Sequence, residues 1–486
     1  STWERELLHS PIIHLKVMAA SKFRSTSNSI FKDVSPFLLQ FSMFVPTIVG
    51  QGDEEQSKYW LERALKMEII GTYAQTELGH GTFIRGLETE ATYDEKTEEF
   101  IMNSPSLSSY KWWPGGLGHT SNYCIVMAQL KIKGKSYGMK PFVVQIRDEE
   151  THMPMPGVKV GEIGAKFAFN TANNGFLGFD NVRIPRRHML MRFSQVLKDG
   201  TFKSSSNPRL AYGTMVMVRV TIVNTACTLL SKAATIAIRY SAVRHQSQLK
   251  ANEPEPQILD YVTQQHKLFI SIATSHAYMF CSYWLWDLYY LILHQRNTLP
   301  DSLHALTCIL KVISSADCTA LVERCRMSCG GHGYMLSSNL PQLYSLSTAA
   351  CTYEGENTVL LLQTARYSKI VSPSLKAVLS DLLEMYIIYK ALEKTGDLLL
   401  YTQLSEKEVK ALQRRYEDLL EKIRPNAVGL VDAYDYRDEV LHSTLGSYDG
   451  FAYEHLMEEA MKSPLNAEPV NQSFHKYLKP LMKGKI

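Results

Sequence analysis

A carboxylate lies between an aromatic residue and a glycine in segment 351–358, Cys-Thr-Tyr-Glu-Gly-Glu-Asn-Thr, just before an apolar run. This carboxylate, Glu354, would resist ionisation at the mouth of an apolar site, because desolvation disfavours its charged form. A group of that kind is a suitable general base for removing a proton from carbon. The segment also fits a simple Tyr-Glu-Gly turn that begins a helix, with Glu356 as an acidic residue at the helix start.

Composition narrows the class of protein that could carry this group. The chain has 486 residues, enough for two or three domains, with 45% hydrophobic and 21% charged residues. Its net charge of +4 is small for this length, and no Lys/Arg run or RNA-binding signature indicates a nucleic-acid partner. The eight cysteines have no Cys-x-x-Cys pair and no zinc spacing. We therefore expect reduced, mostly buried thiols of an intracellular protein, and no metal site.

The apolar stretches bear on membrane association. No basic-then-apolar signal sequence begins the chain. The longest apolar stretches, Met215–Val223 and Tyr278–Leu293, are interrupted by Arg219 and Asp287. This pattern predicts helices buried inside a bundle and no membrane span.

Changes of pattern along the chain predict four domains. These are a helical domain over residues 1–97, a β domain over 98–200, a helical bundle with Glu354 over 201–371 and a further helical domain over 372–486. Short β-rich runs such as Tyr123–Leu130 and Pro141–Ile146, separated by turn residues, indicate that the β domain is antiparallel. The predicted fold class is mainly α with a central antiparallel β domain.

The helices that must position Glu354 are predicted from caps and apolar periodicity. Asp53 is expected to cap a helix whose apolar face includes Trp60 and Ala64. Ser405-x-x-Glu408 is a capping box at the start of another helix. Long helices are expected over residues 209–243, 257–296, 301–328 and 357–370.

Six short sequence segments, in their order along the chain, resemble those of the acyl-CoA dehydrogenase and oxidase superfamily, and most of all those of the peroxisomal acyl-CoA oxidases. Besides segment 352–358 they are GTYAQTELGHG (71–81), KWWPGG (111–116), FDNVRIP (179–185), IRYSAVRHQ (238–246) and CGGHGY (329–334). The resemblance implies an N-terminal α domain, a middle β-barrel or sandwich and a C-terminal helical bundle. It also implies an additional C-terminal α domain, which dehydrogenases lack, so the tail favours an oxidase.

The resemblance implies FAD as the cofactor, an acyl-CoA thioester as the substrate and Glu354 as the base. The residues that it implies for the cofactor are Tyr73, Ala74, Gln75, Thr76, Gly81, Thr82, Gly115, Arg244, Gln264, Gln265, His266, Lys267, Gly331 and Glu356. Those that it implies for the substrate are Arg209, Leu210, Ala211, Tyr212, Arg219 and Thr352.

Physical reasoning supports part of this assignment and leaves alternatives open. Thr76 offers a hydroxyl, Gly115 lets the backbone approach a flat ring, and Arg244 matches phosphate oxygens in a bidentate way. The same residues also fit a glycine-rich turn after a helix, a turn among core aromatics and a surface arginine. A cation at Arg219 inside an apolar run needs a partner, either a buried salt bridge or a phosphate.

The resemblance implies α,β-desaturation of an acyl-CoA to a trans-2-enoyl-CoA, the first step of peroxisomal fatty-acid β-oxidation, with dioxygen reduced to hydrogen peroxide. It also implies a homodimer, or a heterodimer with a paralogue, and a peroxisomal location, although segment 483–486 lacks the Ser-Lys-Leu address. Two alternatives are an acyl-CoA dehydrogenase that passes electrons to a flavoprotein, and a catalytically silent subunit of an oxidase heterodimer. The sequence pattern does not determine the acyl chain length.

Overall fold

The computed structural model describes residues 32–204, 213–294, 301–368, 405–423, 427–432 and 434–462, together with Asn466 and Lys476. Along the chain, helices come before and after a β region, so the predicted fold class is confirmed. The chain divides into two compact units. The first contains residues 1–229, 275–320 and 344–380, and the second contains residues 230–274, 321–343 and 381–486.

The strands lie in the first unit. They are β1 (Gly71–Ala74), β2 (Glu90–Asp94), β3 (Glu99–Asn103), β4 (Lys111–Trp112), β5 (Tyr123–Ile132), β6 (Lys135–Gln145), β7 (Val158–Glu162), β8 (Gly175–Phe179), β9 (Val182–Pro185), β10 (Ser194–Val196) and β11 (Phe202–Ser204). The largest sheet has the order β1-β5-β2-β3-β9, with β6 on β5, and smaller sheets are β4-β8-β7 and β10-β11. Most pairings are antiparallel, while β1 and β2 run parallel to β5.

Residues 1–97 are not helical throughout, while the predicted domain boundaries themselves stay a prediction. Strands β1 and β2 lie in the region that was predicted to be helical, and both pair with β5. Each strand has only four or five residues. An alternation of buried and exposed residues over so short a stretch is a weak signal after a longer helical pattern. Ala91 and Tyr93 of β2 nevertheless point into the sheet core, as a period of two requires. The β region also continues to Ser204, past the predicted end at residue 200.

The helices follow the predicted pattern closely. They are α1 (Val45–Gln51), α2 (Glu54–Leu65), α3 (Gly213–Val243), α4 (Val262–His294), α5 (Asp301–Ser328), α6 (Leu340–Ala349), α7 (Asn357–Ser368), α8 (Glu406–Ile423), α9 (Ala427–Asp432), α10 (Asp438–Leu441) and α11 (Ala452–Met461). Both ends of α5 are as predicted. Helix α4 begins later than predicted, because Ile258–Asp260 forms a separate 3-10 turn.

Two predicted helix caps are confirmed. The Asp53 carboxylate accepts from the Gln56 N–H at 3.0 Å, and the Gln56 side chain accepts from the Asp53 N–H at 3.1 Å. Glu408 accepts from the Ser405 N–H at 2.8 Å, and the Ser405 hydroxyl accepts from the Glu408 N–H at 3.4 Å. The capped helix α2 buries Trp60 and Ala64, as predicted.

Two helical stretches, Met215–Val243 and Leu303–Ser328, are long and apolar enough to cross a bilayer by length and composition. Within their most apolar windows, 78% and 56% of the residues are buried inside the protein. Such burial is typical of core helices in a bundle, which agrees with the expectation from the sequence.

Candidate active site

Glu354 lies in the turn between α6 and α7, in the left-handed region of backbone space. Its φ is +58°, and Gly355 follows with a φ of +101°. A left-handed conformation costs a residue with a Cβ about 1–2 kcal/mol, so the surrounding contacts must hold it. Glycine is required at position 355, since a Cβ there would meet Leu360 Cδ2 at 2.7 Å. The Asn357 N–H closes the turn on the Cys351 carbonyl at 3.1 Å.

The Glu354 carboxylate is withdrawn from water at one oxygen. The residue as a whole is half-buried, but its Oε2 is buried and has no hydrogen-bond partner among the described residues. Burial raises the pKa of Glu354, while the charges of Arg219 and Lys311 act in the opposite direction. The direction of this shift agrees with the expectation from the sequence. An unpartnered oxygen with raised proton affinity is what a general base needs.

Two buried cations bind the backbone of this turn. Arg219 of α3 donates through Nε to the Glu354 carbonyl at 3.2 Å. Lys311 of α5 donates through Nζ to the Gly355 carbonyl at 2.8 Å and to Asn357 Oδ1 at 2.8 Å. Within the described ranges neither cation has a carboxylate oxygen closer than 4.0 Å.

Arg219 forms no salt bridge with the described residues, and the alternative of a bound phosphate stays a prediction. Its partners are the Glu354 carbonyl, Cys308 Sγ at 3.4 Å and His304 Nδ1 at 3.3 Å. All three partners lie inside the first unit. Its predicted contact with substrate stays a prediction.

The other predicted residues of this turn have separate positions. Glu356 immediately precedes α7, and its carboxylate accepts from the N–H groups of Thr358 at 2.9 Å and Val359 at 3.3 Å. This confirms the helix-start interpretation of Glu356, and its contact with the cofactor stays a prediction. Thr352 is exposed on the same turn. The predicted substrate residues 209–212 lie outside the described residues.

The loop after β1 is held by a fully buried ion pair. Lys111 Nζ lies 2.9 Å from Glu77 Oε1, and neither side chain is exposed. Glu77 also accepts from the Thr89 N–H at 2.9 Å and hydroxyl at 2.6 Å. The Trp112 N–H donates to the Thr76 carbonyl at 3.0 Å. The amide and hydroxyl of Thr76, by contrast, have no hydrogen-bond partner in the described part of the chain.

Gly115 lies in a turn that adjoins this loop. Its carbonyl accepts from the Thr72 hydroxyl at 2.6 Å, and the Gly116 N–H donates to the Ala172 carbonyl at 2.7 Å. A Cβ at Gly115 would lie 3.1 Å from the Ala172 carbonyl oxygen, so only glycine fits without a shift. Trp113, two residues before Gly115 in the chain, exposes 54% of its surface.

A further segment connects the glycine turn with the base. Ala172 ends a short 3-10 turn whose preceding residue, Phe169, packs edge-on against Tyr353 with ring centroids 5.9 Å apart. A series of contacts within the first unit thus connects the segments that carry Thr76, Gly115 and Glu354. Tyr73 and Ala74 lie in β1 and Gln75 follows it, whereas Gly81 and Thr82 are exposed beyond the buried ion pair.

The remaining predicted cofactor residues belong to the second unit. The side-chain amide of Gln264 donates to Ser241 Oγ at 3.1 Å and to the Ser328 carbonyl at 2.8 Å, so its N–H groups bind inside the second unit. Gln265 donates to the Leu259 carbonyl at 3.1 Å, and His266 Nδ1 lies 3.0 Å from the Tyr416 hydroxyl. Arg244 donates to the Tyr453 hydroxyl at 3.4 Å. Lys267 and Gly331 are exposed.

The residues present fit a bound FAD. Thr76 has two donors without a partner among the described residues, and Trp113 follows the residue whose N–H binds the Thr76 carbonyl. Two free donors and an exposed aromatic ring suit the polar edge and flat face of a flavin. In the second unit, a Cβ at Gly330 or Gly331 would meet no atom within 4 Å, so that backbone is open to an anion. We propose these groups as the cofactor-binding residues.

Sequence reasoning missed Lys311, which the fold brings to the Glu354 turn, and Arg147. Arg147 is buried and donates to the carbonyls of Ser121, Leu117 and Gly118 at 2.5–2.7 Å, just after the glycine turn. Lys311 interrupts the apolar run 309–313, Ile-Leu-Lys-Val-Ile, as Arg219 interrupts its own run. A charged residue within an apolar helical run was therefore the feature of the sequence that could have identified Lys311.

Family models match three stretches of the chain. A model of the acyl-coenzyme A oxidase N-terminal region matches residues 13–70. A model of the acyl-CoA oxidase C-alpha1 domain matches residues 212–368, and an acyl-CoA oxidase model matches residues 310–483.

Whole proteins show the same similarity. The chain is 44% identical to acyl-coenzyme A oxidase 1 of Drosophila melanogaster, over 95% of this chain and 85% of that protein. It is 42% identical to peroxisomal acyl-coenzyme A oxidase 1 of Rattus norvegicus, over 92% and 85%. A solved structure of Caenorhabditis elegans acyl-CoA oxidase-2, bound with FAD, ascaroside-CoA and ATP, superposes with a TM-score of 0.88 at 36% identity, over 93% and 84%. That of Arabidopsis thaliana acyl-CoA oxidase 1 gives 0.87 at 37%, over 92% and 85%. The chain belongs to the acyl-CoA oxidase family.

Proposed function

We propose that this chain is an FAD-dependent acyl-CoA oxidase that converts an acyl-CoA to a trans-2-enoyl-CoA in the first step of peroxisomal fatty-acid β-oxidation. The observation that carries the proposal is the buried, unpartnered Oε2 of Glu354. Membership of the oxidase family supports the reaction. The FAD in the nematode relative supports the cofactor, and the name of the rat relative supports the location.

The chain's own residues supply the proton chemistry. The Cα–H bond of the thioester breaks, its proton goes to Oε2 of Glu354, and the electron pair moves toward the thioester carbonyl. The negative charge that develops on that oxygen needs a donor. The Glu354 N–H donates to no acceptor among the described residues, so it is available to the thioester oxygen.

The chemistry that FAD supplies, when bound, is the acceptance of a hydride from Cβ of the substrate. Thr76 and Gly115 of the first unit would hold the flavin ring, and Arg244 and Gly331 would hold the pyrophosphate. We infer that the last two serve the cofactor of a second subunit, in a homodimer or in a heterodimer with a paralogue. Dioxygen is the proposed final electron acceptor, which would be reduced to hydrogen peroxide.

Replacing the base tests this proposal. Glu354→Gln should retain the flavin absorbance band and lose substrate-dependent bleaching, with turnover lower by about 10²–10⁴-fold, since a positioned base contributes about that much. Glu149→Gln is the control. Glu149 binds Arg63 and the Tyr123 hydroxyl at 2.6–2.8 Å, so its loss should affect stability but leave turnover unchanged. Wild-type turnover in Glu354→Gln would remove Glu354 from this role.

Oxygen dependence separates the alternatives. An oxidase should form one hydrogen peroxide per enoyl product in a peroxide-coupled assay with acyl-CoAs of graded length. A dehydrogenase would reduce its flavin but form product only with an added electron acceptor. A silent subunit would be purified without a flavin band.

A further inference from the structure

We propose that Lys311 is the positioning residue of the Glu354 base, and that it acts through the backbone and by its charge without binding the carboxylate. This inference rests on the proposed function, because it concerns the same proton transfer. Its test is arranged so that either proposal can fail alone.

Among the described residues, the side-chain hydrogen bonds of Lys311 go only to the Glu354 turn and the residue that follows it. The side chain is completely buried in α5 and donates to the Gly355 carbonyl and Asn357 Oδ1, both at 2.8 Å. Asn357 Nδ2 in turn donates to Ser315 Oγ at 3.1 Å, one helical turn beyond Lys311. Lysine and serine of one helix therefore hold Asn357, the first residue of α7, and the Gly355 carbonyl two residues before it.

These contacts hold a conformation that is unfavourable in isolation. The left-handed φ of +58° at Glu354 determines where its carboxylate lies. Arg219 and Lys311 bind the carbonyls of Glu354 and Gly355, so two successive peptide groups are fixed from two helices. Without Lys311, the Gly355 carbonyl would be buried without its donor, and the turn could relax toward a conformation that misplaces the base.

The same arrangement leaves the reactive oxygen free. A lysine bound directly to the carboxylate would occupy an oxygen and stabilise the anion strongly, which weakens a base. Lys311 instead acts on Glu354 from beyond hydrogen-bonding distance, and Oε2 keeps no partner among the described residues. Charged or titratable side chains close to Glu354 or its two cations belong to α3, α5 and the turn itself: Arg219, His304, Cys308, Lys311, Cys351, Tyr353 and Glu356.

Proton removal can be measured apart from hydride transfer. A 3,3-dimethylacyl-CoA has no hydrogen on Cβ, so the holoenzyme can only exchange its α-protons with deuterated solvent, which NMR detects. In Lys311→Met this exchange should slow about 10²-fold at neutral pH, as expected for a misplaced base. Its acidic midpoint should move up by about one pH unit, because removal of a nearby cation favours the protonated carboxyl.

Three further variants separate charge, hydrogen bonding and general stability. Lys311→Gln keeps a donor but loses the charge, so its midpoint should shift like that of Lys311→Met while its rate falls less. Lys311→Arg keeps the charge, so its midpoint should stay at the wild-type value. Lys232→Met removes another buried lysine, which lies 6.0 Å from the centre of the Tyr436 ring, and should lower stability without altering exchange.

Wild-type exchange rate and midpoint in both Lys311→Met and Lys311→Gln would overturn the role of Lys311. An equal shift of the midpoint in Lys311→Arg would overturn the role of its charge. If the Lys311 variants behaved like the wild type while Glu354→Gln abolished exchange in the same assay, the proposed function would stand and this inference would fail. Wild-type exchange in Glu354→Gln would refute the proposed function itself.

Discussion

The behaviour of Glu354 is decided by two opposing effects at the scale of one residue. Removal from water raises its pKa, and the charges of Arg219 and Lys311 lower it, with burial the larger effect. The left-handed backbone adds a local cost that other contacts must offset. Functional sites commonly keep such unfavourable groups, because selection for activity tolerates the lost stability.

The pH dependence of turnover and stability should share one midpoint. Turnover requires the deprotonated carboxylate, so it should fall as the pH drops through the raised pKa of Glu354, above the ordinary value of about 4.3. The folded state binds this proton more tightly than the unfolded state. The free energy of unfolding should therefore rise as the pH falls through the same value, and level off below the ordinary pKa.

This prediction is checked by urea unfolding of the wild type and Glu354→Gln across pH. The stability of the variant relative to the wild type should increase with pH and reach a plateau above the midpoint of turnover. A difference that is constant with pH, or that decreases, would contradict it.

At the scale of elements, the loop after β1 and strand β4 are joined by the pair Lys111–Glu77. Burial lowers the pKa of Lys111 to about 8, against the opposing effect of Glu77. Glu77 also accepts from three backbone or hydroxyl donors, two of them on Thr89. The pair fixes the loop, and with it the two free donors of Thr76.

Lys111→Met should cost about 3–5 kcal/mol of unfolding free energy, because it leaves Glu77 buried without its cation. It should also release flavin during gel filtration, since the Thr76 loop loses its attachment. Lys131→Met, which breaks the more exposed Lys131–Glu90 pair of neighbouring strands, is the matched control and should cost under about 1 kcal/mol. Equal costs for the two variants would show that burial of the pair has no special effect.

At the scale of the whole molecule, the C-terminal helices are part of the second unit. Arg239 is buried, lies 2.7 Å from Asp432 and donates to the Gly446 carbonyl at 2.9 Å. Asn339 donates to the Leu441 carbonyl at 2.8 Å, and the hydroxyls of Ser231 and Tyr436 lie 2.8 Å apart. These polar contacts attach segment 427–462 to the end of α3 and the start of α6.

Arg239→Met should detach this segment, because it removes the cation from Asp432 and the donor from the Gly446 carbonyl. Limited proteolysis should then cleave within 427–462 at least tenfold faster than in the wild type. Arg326→Met is the control, since Arg326 pairs with Glu323 three residues earlier on the same helix. Unchanged cleavage in Arg239→Met would show that apolar contacts alone hold the segment.

The sequence by itself determined the features that depend on near neighbours in the chain. The caps at Asp53 and Ser405 and the helix start at Glu356 follow from side chains within three or four residues of the backbone groups that they bind. The segment around Glu354 indicated a candidate base, and the resemblance to acyl-CoA oxidases implied that Glu354 is that base. Its raised pKa agrees with that prediction, and its catalytic role stays a proposal.

Only the tertiary structure decided what surrounds that base. The region of strands β1 and β2 was predicted to be helical, because their alternation of buried and exposed residues is short. These strands are stabilised by pairing with β5, which is distant in the chain. Lys311 lies 44 residues from Gly355 in the chain, and Arg219 lies 135 residues from Glu354. Periodicity identifies such a residue as a charge in an apolar run, but its partner depends on how the helices pack, which local sequence does not encode.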